Sequence, residues 1–547
     1  MGGSGKRGRL YSAATGAVGV IAIATLTSRA VGFLRWLAQS ALVGSGSTAG
    51  AYASANQIPN IIFEIVVGGA LAGITVPLLS ASLAKGRGEH AHKVASALLT
   101  WVTLILLAVA VFVFALAPFI AGTLPVPADA DVEAQRALIT RFLRIFAWQI
   151  PLYGVSIVLT GVLQAHKKFF WAAIAPAMSS IVVIATFAGY AWLNPNRDGT
   201  PPTAAVDALG WGTTAGVAVL ALPLFIPAYR VGFKYRPTLK LQADERRRAV
   251  ALGASGLGAL IAQQFSVVVS LWLMRSHGAS GTVAVFQYVQ AVYWLPYAVA
   301  VYPVATAAFP LLSEHGQGGC SPRFKITCSH AMRKVVVAGL LGTSLLVIMA
   351  PVAQAFFNLL TPVPGMASAL IVIAPALIGY SVLFYGQRVL YALSESRSAW
   401  QVAALGWVSV ALSQIVFVRL FVDSGGDGPG TLRAIAAGHT VGMTVSAVAV
   451  IVVIARITDG FEMNELRALT FRSLRPLIVA TILGGSATMY LTTLGTGGWR
   501  LLAIIGAGIA GVLILAASIA LLGKDSVVKA LTTSLVSNNH QGEKNDL

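Results

Sequence analysis

A chain of 547 residues that is 56% hydrophobic and only 10% charged, with a mean hydropathy of +0.78, carries far more apolar surface than a soluble fold can bury. That balance excludes a soluble enzyme and predicts a polytopic membrane protein. The formal net charge of +19 gives no ground for a nucleic-acid partner, because basic connections facing anionic headgroups account for it.

Crossing the hydrocarbon takes roughly 20 apolar residues. Fourteen segments qualify: 15–43, 51–83, 94–124, 138–164, 171–193, 208–229 and 249–274, then 283–312, 335–360, 367–393, 400–422, 432–455, 477–494 and 499–522. Lysine and arginine concentrate in alternate connections, such as Lys85, Arg87 and Lys93, or Arg456, Arg467, Arg472 and Arg475. The intervening connections hold only Arg136, Arg197, Arg275, Arg433 and Arg500. The asymmetry predicts that both termini are cytoplasmic. The first apolar segment is too long for a signal-peptide core and contains arginine, so no cleavage is expected. The densest basic run, "LQADERRRAV", reads as a topology determinant, and the tail "SNNHQGEKNDL" as disordered.

The first segment holds two arginines, Arg29 and Arg35, as its only charges. Ser28, Gly32, Arg35 and Gln39 follow steps of four, three and four and share one helical stripe, with Arg29 on its flank. Arg29 is about 14 residues, or roughly 21 Å of helix, from either end, beyond easy snorkelling. An arginine at mid-bilayer costs roughly 2.5–3.5 kcal/mol on insertion scales, so it calls for a wet cavity or a partner. The second segment carries a stripe of its own in Ala53, Asn56, Asn60, Glu64 and Gly68, with Pro59 expected to kink the helix. Glu64 is the acidic residue deep inside a span and the expected counter-charge for Arg29 or Arg35. Either Glu64 neutralises one arginine as a buried pair that only fixes helix packing, or one carboxylate against two guanidinium groups leaves positive charge for an anionic ligand, with guanidinium suited to bidentate contact with phosphate oxygens.

An internal repeat is also legible. The second and eighth segments end in "ITVPLLSASL" and "AAFPLLSEHG", so Pro77 and Pro310 both open "PLLS". A glutamine, Gln57 or Gln290, stands twenty residues before each, and each segment holds a further proline, Pro59 or Pro296. Duplicated six-span halves follow, with the substrate site expected between them. Gln263, Gln264 and Gln287 either line the same cavity or bond between helices. Gln387 with Arg388 lies nearer a helix end, where snorkelling explains the charge. Cys320 and Cys328, flanked by His315 and His330, match no zinc spacing, and no disulfide, metal or cofactor is expected. "GAGIAG" in the last segment follows no strand and reads as helix packing, and no Walker A or hydrolase motif occurs.

The stretches "SRAVGFLR" from Ser28 to Arg35, "NQIPNIIFE" from Asn56 to Glu64 and "VPLLS" from Val76 to Ser80 resemble the MurJ/MviN family of the multidrug/oligosaccharidyl-lipid/polysaccharide exporter superfamily. The resemblance covers residues 12–90 best and 281–315 moderately. It implies an all-α integral membrane protein of about 14 helices, in two pseudo-symmetric six-helix lobes with two C-terminal helices forming a groove for a polyprenyl tail. The corresponding segments are 1–12 (tail), 13–230 (first lobe), 231–247 (basic linker), 248–456 (second lobe), 457–523 (linker and last two helices) and 524–547 (tail). It also implies a lipid II flippase of the bacterial cytoplasmic membrane, not an enzyme, working by alternating access. The candidate substrate-binding residues are Ser28, Arg29, Arg35, Gln57, Asn60, Glu64 and Gln290. Partners would be lipid II, membrane lipids and cell-wall synthesis or division proteins. Family arginines are replaced by Phe63 and Ala291, and a family glutamate by Gly68, so the cavity is less basic than the pattern. The alternatives are a cation-coupled exporter of drugs or of another lipid-linked oligosaccharide, which calls for more carboxylates, and a glycosyltransferase using Asp129 and Asp131.

Overall fold

Backbone crossing hydrocarbon must satisfy its own N–H and C=O groups, and this chain does so with helices. The computed structural model describes residues 4–532 apart from 67–71, 197–199, 241, 317–318, 424, 459–462 and 496. Among the described residues, eleven helices are long and apolar enough to cross a membrane, or twelve if one bent pair is a single span. The expected fourteen are thus not all accounted for. The first two expected spans include side chains or residues outside the described set, Gly68 among them. The basic run after 240 lies partly, and the C-terminal tail wholly, outside it.

Contact clustering divides the chain into two units. The first comprises residues 1–126 and 130–260, the second 127–129 and 261–547. The first unit contains α1 (Ser4–Leu42), α2 (Ser47–Ile65), α3 (Ala72–Ala84), α4 (Gly88–Thr123), α5 (Val132–Phe146), α6 (Gln149–Ala165), α7 (Phe169–Leu193), α8 (Thr203–Ala221) and α9 (Phe225–Arg230). α1 packs on α7, α7 on α8, α4 on α5 and α6, and α2 on α5. Buried Tyr52 centres one core: its ring meets Phe142, Phe146 and Phe187 edge-on at 5.7, 5.6 and 6.2 Å, and its hydroxyl bonds Thr213 at 3.0 Å. Such pairs add about 0.5–1.5 kcal/mol each beyond their buried area. At Gly161 the absence of a side chain is required, because a Cβ there would lie 2.5 Å from Thr75 Cγ2 where α6 crosses α3.

α10 (Ala243–His277) runs across the boundary into the second unit, which continues through α11 (Thr282–Pro296), α12 (Tyr302–Gly316), α13 (Pro322–Phe357), α14 (Met366–Ile373), α15 (Ala376–Ala392), α16 (Ser396–Phe421), α17 (Gly428–Ile457), α18 (Met463–Leu494), α19 (Arg500–Leu522) and α20 (Lys529–Thr532). Polar side chains here bind helices together: Ser270 donates to Gln414 Oε1 at 2.7 Å, Gln414 Nε2 to the Ile435 carbonyl at 3.3 Å, and Thr488 to the Ile348 carbonyl at 2.8 Å. Exposed Ile482, Leu483, Ile509 and Leu513 on α18 and α19 keep apolar surface on the outside, as contact with lipid requires.

Spans read as continuous from hydropathy are interrupted at prolines and turns. The tenth expected span is α14 and α15, bent by 44° beside Pro375. The sixth is broken at Leu222–Leu224, which holds Pro223. The eighth carries a π-helical turn, Tyr297–Val301, directly after Pro296. Each repeat-bearing span holds two prolines inside helix, Pro59 in α2 and Pro77 in α3, Pro296 in α11 and Pro310 in α12.

The aspartates weighed for glycosyl transfer are engaged with local donors. Asp131 caps α5 by accepting from the Ala134 N–H at 2.7 Å, and Asp129 accepts from Ser280 N–H and hydroxyl at 2.9 and 2.8 Å. Asp427 caps α17 in the same manner, accepting from Gly430 N–H at 2.8 Å. Asp427→Ala is expected to lower the unfolding free energy by about 1 kcal/mol, seen as a small drop in Tm with unchanged oligomeric profile.

Candidate substrate cavity

In the first unit α1, α2, α3, α6, α7 and α8 line a half-open cavity of about 480 Å³. α1 contributes Arg35, because its polar stripe faces inward. One turn further on, Gln39 is only 2% exposed. Among the described residues the Arg35 Nε is buried without a hydrogen-bond partner, and the guanidinium lies 4.8 Å from the Trp36 ring centre, a cation–π contact. No carboxylate lines the cavity among its described residues. Guanidinium N–H groups are donors only, in a geometry that matches carboxylate and phosphate oxygens.

α2 adds Asn60 and Phe63. The Tyr153 hydroxyl on α6 donates to Asn60 Oδ1 at 3.3 Å, leaving the Asn60 amide nitrogen for a ligand. Phe63, the position where the resemblance implied an arginine, packs against Tyr153 with ring centres 4.4 Å apart and planes tilted by 40°. The wall is therefore aromatic at a position where positive charge was to be expected.

The remaining candidates distribute as follows. Ser28 is half-buried and Arg29 exposed on α1, and neither lines the cavity. Gln57 is half-buried on α2, also off the lining. Glu64 is exposed and forms no ion pair or hydrogen bond among the described residues, so the expected neutralisation of an arginine by Glu64 does not occur. Gln290 belongs to the second unit, half-buried on α11. Arg35 and Asn60 are thus the candidates brought together.

Sequence reasoning missed the opposite wall. Tyr153, Ser156, Thr160 and Gln164 on α6 recur at three, four and four residues, and α7 adds Ser179 and Ser180. The same stripe rule that singled out Arg35 picks out these α6 residues, but with no charge among them they carry no warning of mid-membrane cost.

The family model for the lipid II flippase MurJ matches residues 39–506. The chain belongs to the MurJ lipid II flippase family. Among relatives, a probable lipid II flippase MurJ of Rhizobium meliloti (strain 1021) is 27% identical over 300 residues, covering 54% of each chain. The corresponding protein of Synechocystis sp. is 31% identical over 223 residues, covering 39% of this chain and 40% of that one. These matches span about half the length of the relatives or less. Among solved structures, a lipid II flippase MurJ in an inward-closed conformation superposes with a TM-score of 0.67 at 19% identity, over 92% of this chain and 99% of that one. An inward-facing multidrug resistance MATE family transporter of the MOP superfamily follows at 0.60 and 15% identity, over 81% and 98%. At these identities the likeness is one of fold. Arg29 and Arg35 precede the matched range, so their assignment rests on the local motif and on the cavity.

Proposed function

We propose that this MurJ-family protein moves lipid II, the undecaprenyl-pyrophosphate-linked peptidoglycan precursor, from the inner to the outer leaflet of the bacterial cytoplasmic membrane. The observation that carries the reading is Arg35: a guanidinium with no carboxylate partner among the described residues and one nitrogen buried and unbonded among them, on the wall of a cavity inside a helical unit. Pyrophosphate supplies the paired oxygens that a guanidinium binds bidentately. Arg35 and Asn60 would receive the pyrophosphate, with Ser28, Arg29, Gln57, Glu64 and Gln290 along its path, while the prenyl chain stays in lipid. Alternating access would carry the headgroup across, with both termini in the cytoplasm as the basic connections suggest. A cation-coupled drug exporter is the weaker reading, since such a pump needs titratable carboxylates on the cavity and the described lining holds none.

The decisive test is translocation of fluorescent lipid II by the purified protein in vesicles, with and without a membrane potential. Protein-dependent appearance of lipid II in the outer leaflet supports the proposal. Equal rates in protein-free and protein-containing vesicles under both conditions overturn it.

A further inference from the structure

Serine, threonine and glutamine inside membrane helices are normally bonded to a neighbouring helix or to their own backbone, since an unmet polar group in hydrocarbon is costly. This protein follows that rule at Gln414 and Thr488 in the second unit, and at Tyr52 with Thr213 in the first. It also follows it at two positions on the cavity itself: Ser156 donates back to the Tyr153 carbonyl and Ser180 to the Pro176 carbonyl, both at 2.8 Å.

Three cavity residues break the rule. The side chains of Thr160 and Gln164 on α6 and of Ser179 on α7 form no hydrogen bond among the described residues, although all three line the space that Arg35 also lines. Thr160 and Gln164 stand one turn apart on the face that carries Ser156, so they form a continuous wall and not a scatter of surface groups. All three are half-buried. The wall offers hydroxyl groups, which donate and accept, and a carboxamide, which has two donors and one acceptor oxygen, but no charge. Phosphate oxygens could use only the donors and would face the Gln164 carbonyl oxygen unfavourably. A sugar ring bearing hydroxyl and acetamido groups matches both donors and acceptors. The cavity volume of about 480 Å³ falls inside the roughly 300–1,000 Å³ typical of small-ligand sites.

We infer that Thr160, Gln164 and Ser179 recognise the saccharide of the cargo, beside the pyrophosphate held at Arg35. The inference rests on the proposed function and adds selectivity to it: Arg35 reads the charge common to all polyprenyl pyrophosphates, and the α6–α7 wall reads the sugar. Carriers without sugar would then be bound less tightly than lipid II.

The experiment measures the affinity of the full chain in detergent for two lipids, lipid II and undecaprenyl pyrophosphate without sugar. In the combined variant Thr160→Val, Gln164→Leu, Ser179→Ala, lipid II affinity is expected to fall about 10-fold or more, as loss of several neutral hydrogen bonds implies. Affinity for undecaprenyl pyrophosphate should stay within about two-fold, while Arg35→Ala weakens both lipids. Equal weakening of both lipids by the combined variant, or no change in either, overturns the inference. Failure of the unmodified protein to bind either lipid overturns instead the function on which it rests. Thr160→Val is close to isosteric, so if the combined variant does not elute as a folded species the single variant carries the same comparison, and Thr160→Ser should restore sugar discrimination.

Discussion

Arg35→Ala is expected to lower affinity for lipid II by about 10–100-fold, the cost of losing one charge-assisted hydrogen bond at about 1.5–3 kcal/mol. Arg35→Lys should fall between the two, because an ammonium keeps the charge but loses the planar fork and the stacking on Trp36. The same change should act on stability with the opposite sign. The Arg35 Nε is buried without a partner among the described residues, and a buried donor left unmet costs about 1–3 kcal/mol. Arg35→Leu is therefore expected to raise Tm while lipid II translocation is lost. A structural arginine would show the reverse, with lower Tm and retained transport. Thermal unfolding and the vesicle assay on the same preparations separate these outcomes, and a fall in Tm with unchanged binding would remove Arg35 from the site.

The second large effect concerns the second unit. Gly438 and Gly442 stand one turn apart on α17 and face α16. A Cβ at Gly442 would lie 2.3 Å from Val410 Cγ2 and 2.4 Å from Val410 N, and one at Gly438 2.6 Å from Gln414 N. Backbone meets backbone here, which small-xxx-small spacing permits between membrane helices. Gly442→Leu must force α16 and α17 apart, and with them the Gln414–Ile435 bond and the bond from Ser446 to the Val402 carbonyl. Overpacking costs typically about 1–3 kcal/mol, with the upper end expected where the obstacle is backbone that cannot swing aside, so the variant should show a lower Tm and less monodisperse protein in size-exclusion chromatography. Gly485→Ala on α18, where a Cβ meets nothing within 4 Å, should be silent by the same measures. If Gly442→Leu matches the unmodified protein, the close approach of the two helices is not what holds them.

The amino-acid sequence by itself determined the class of protein, since apolar segments of spanning length can satisfy their backbone in hydrocarbon only as helices. It also determined that Arg35 and Asn60 face inward, because helical periodicity puts residues three and four apart on one stripe. Charge made that signal loud: a guanidinium in an apolar segment has no inexpensive explanation. Hydropathy counts residues without seeing turns, so the breaks at Pro375, at Leu222–Leu224 and at Tyr297–Val301 were invisible to it. Only the tertiary structure decided which polar groups lack partners. Glu64 stands in the stripe that should answer the arginines, yet it points to solvent-accessible space and pairs with neither by ion pair. Thr160, Gln164 and Ser179 look no different in sequence from Ser156, Ser180 or Thr488, all of which are satisfied within the protein. Whether a hydroxyl is glue or receptor depends on what lies opposite it across a helix interface, and that is fixed by packing between segments distant in the chain.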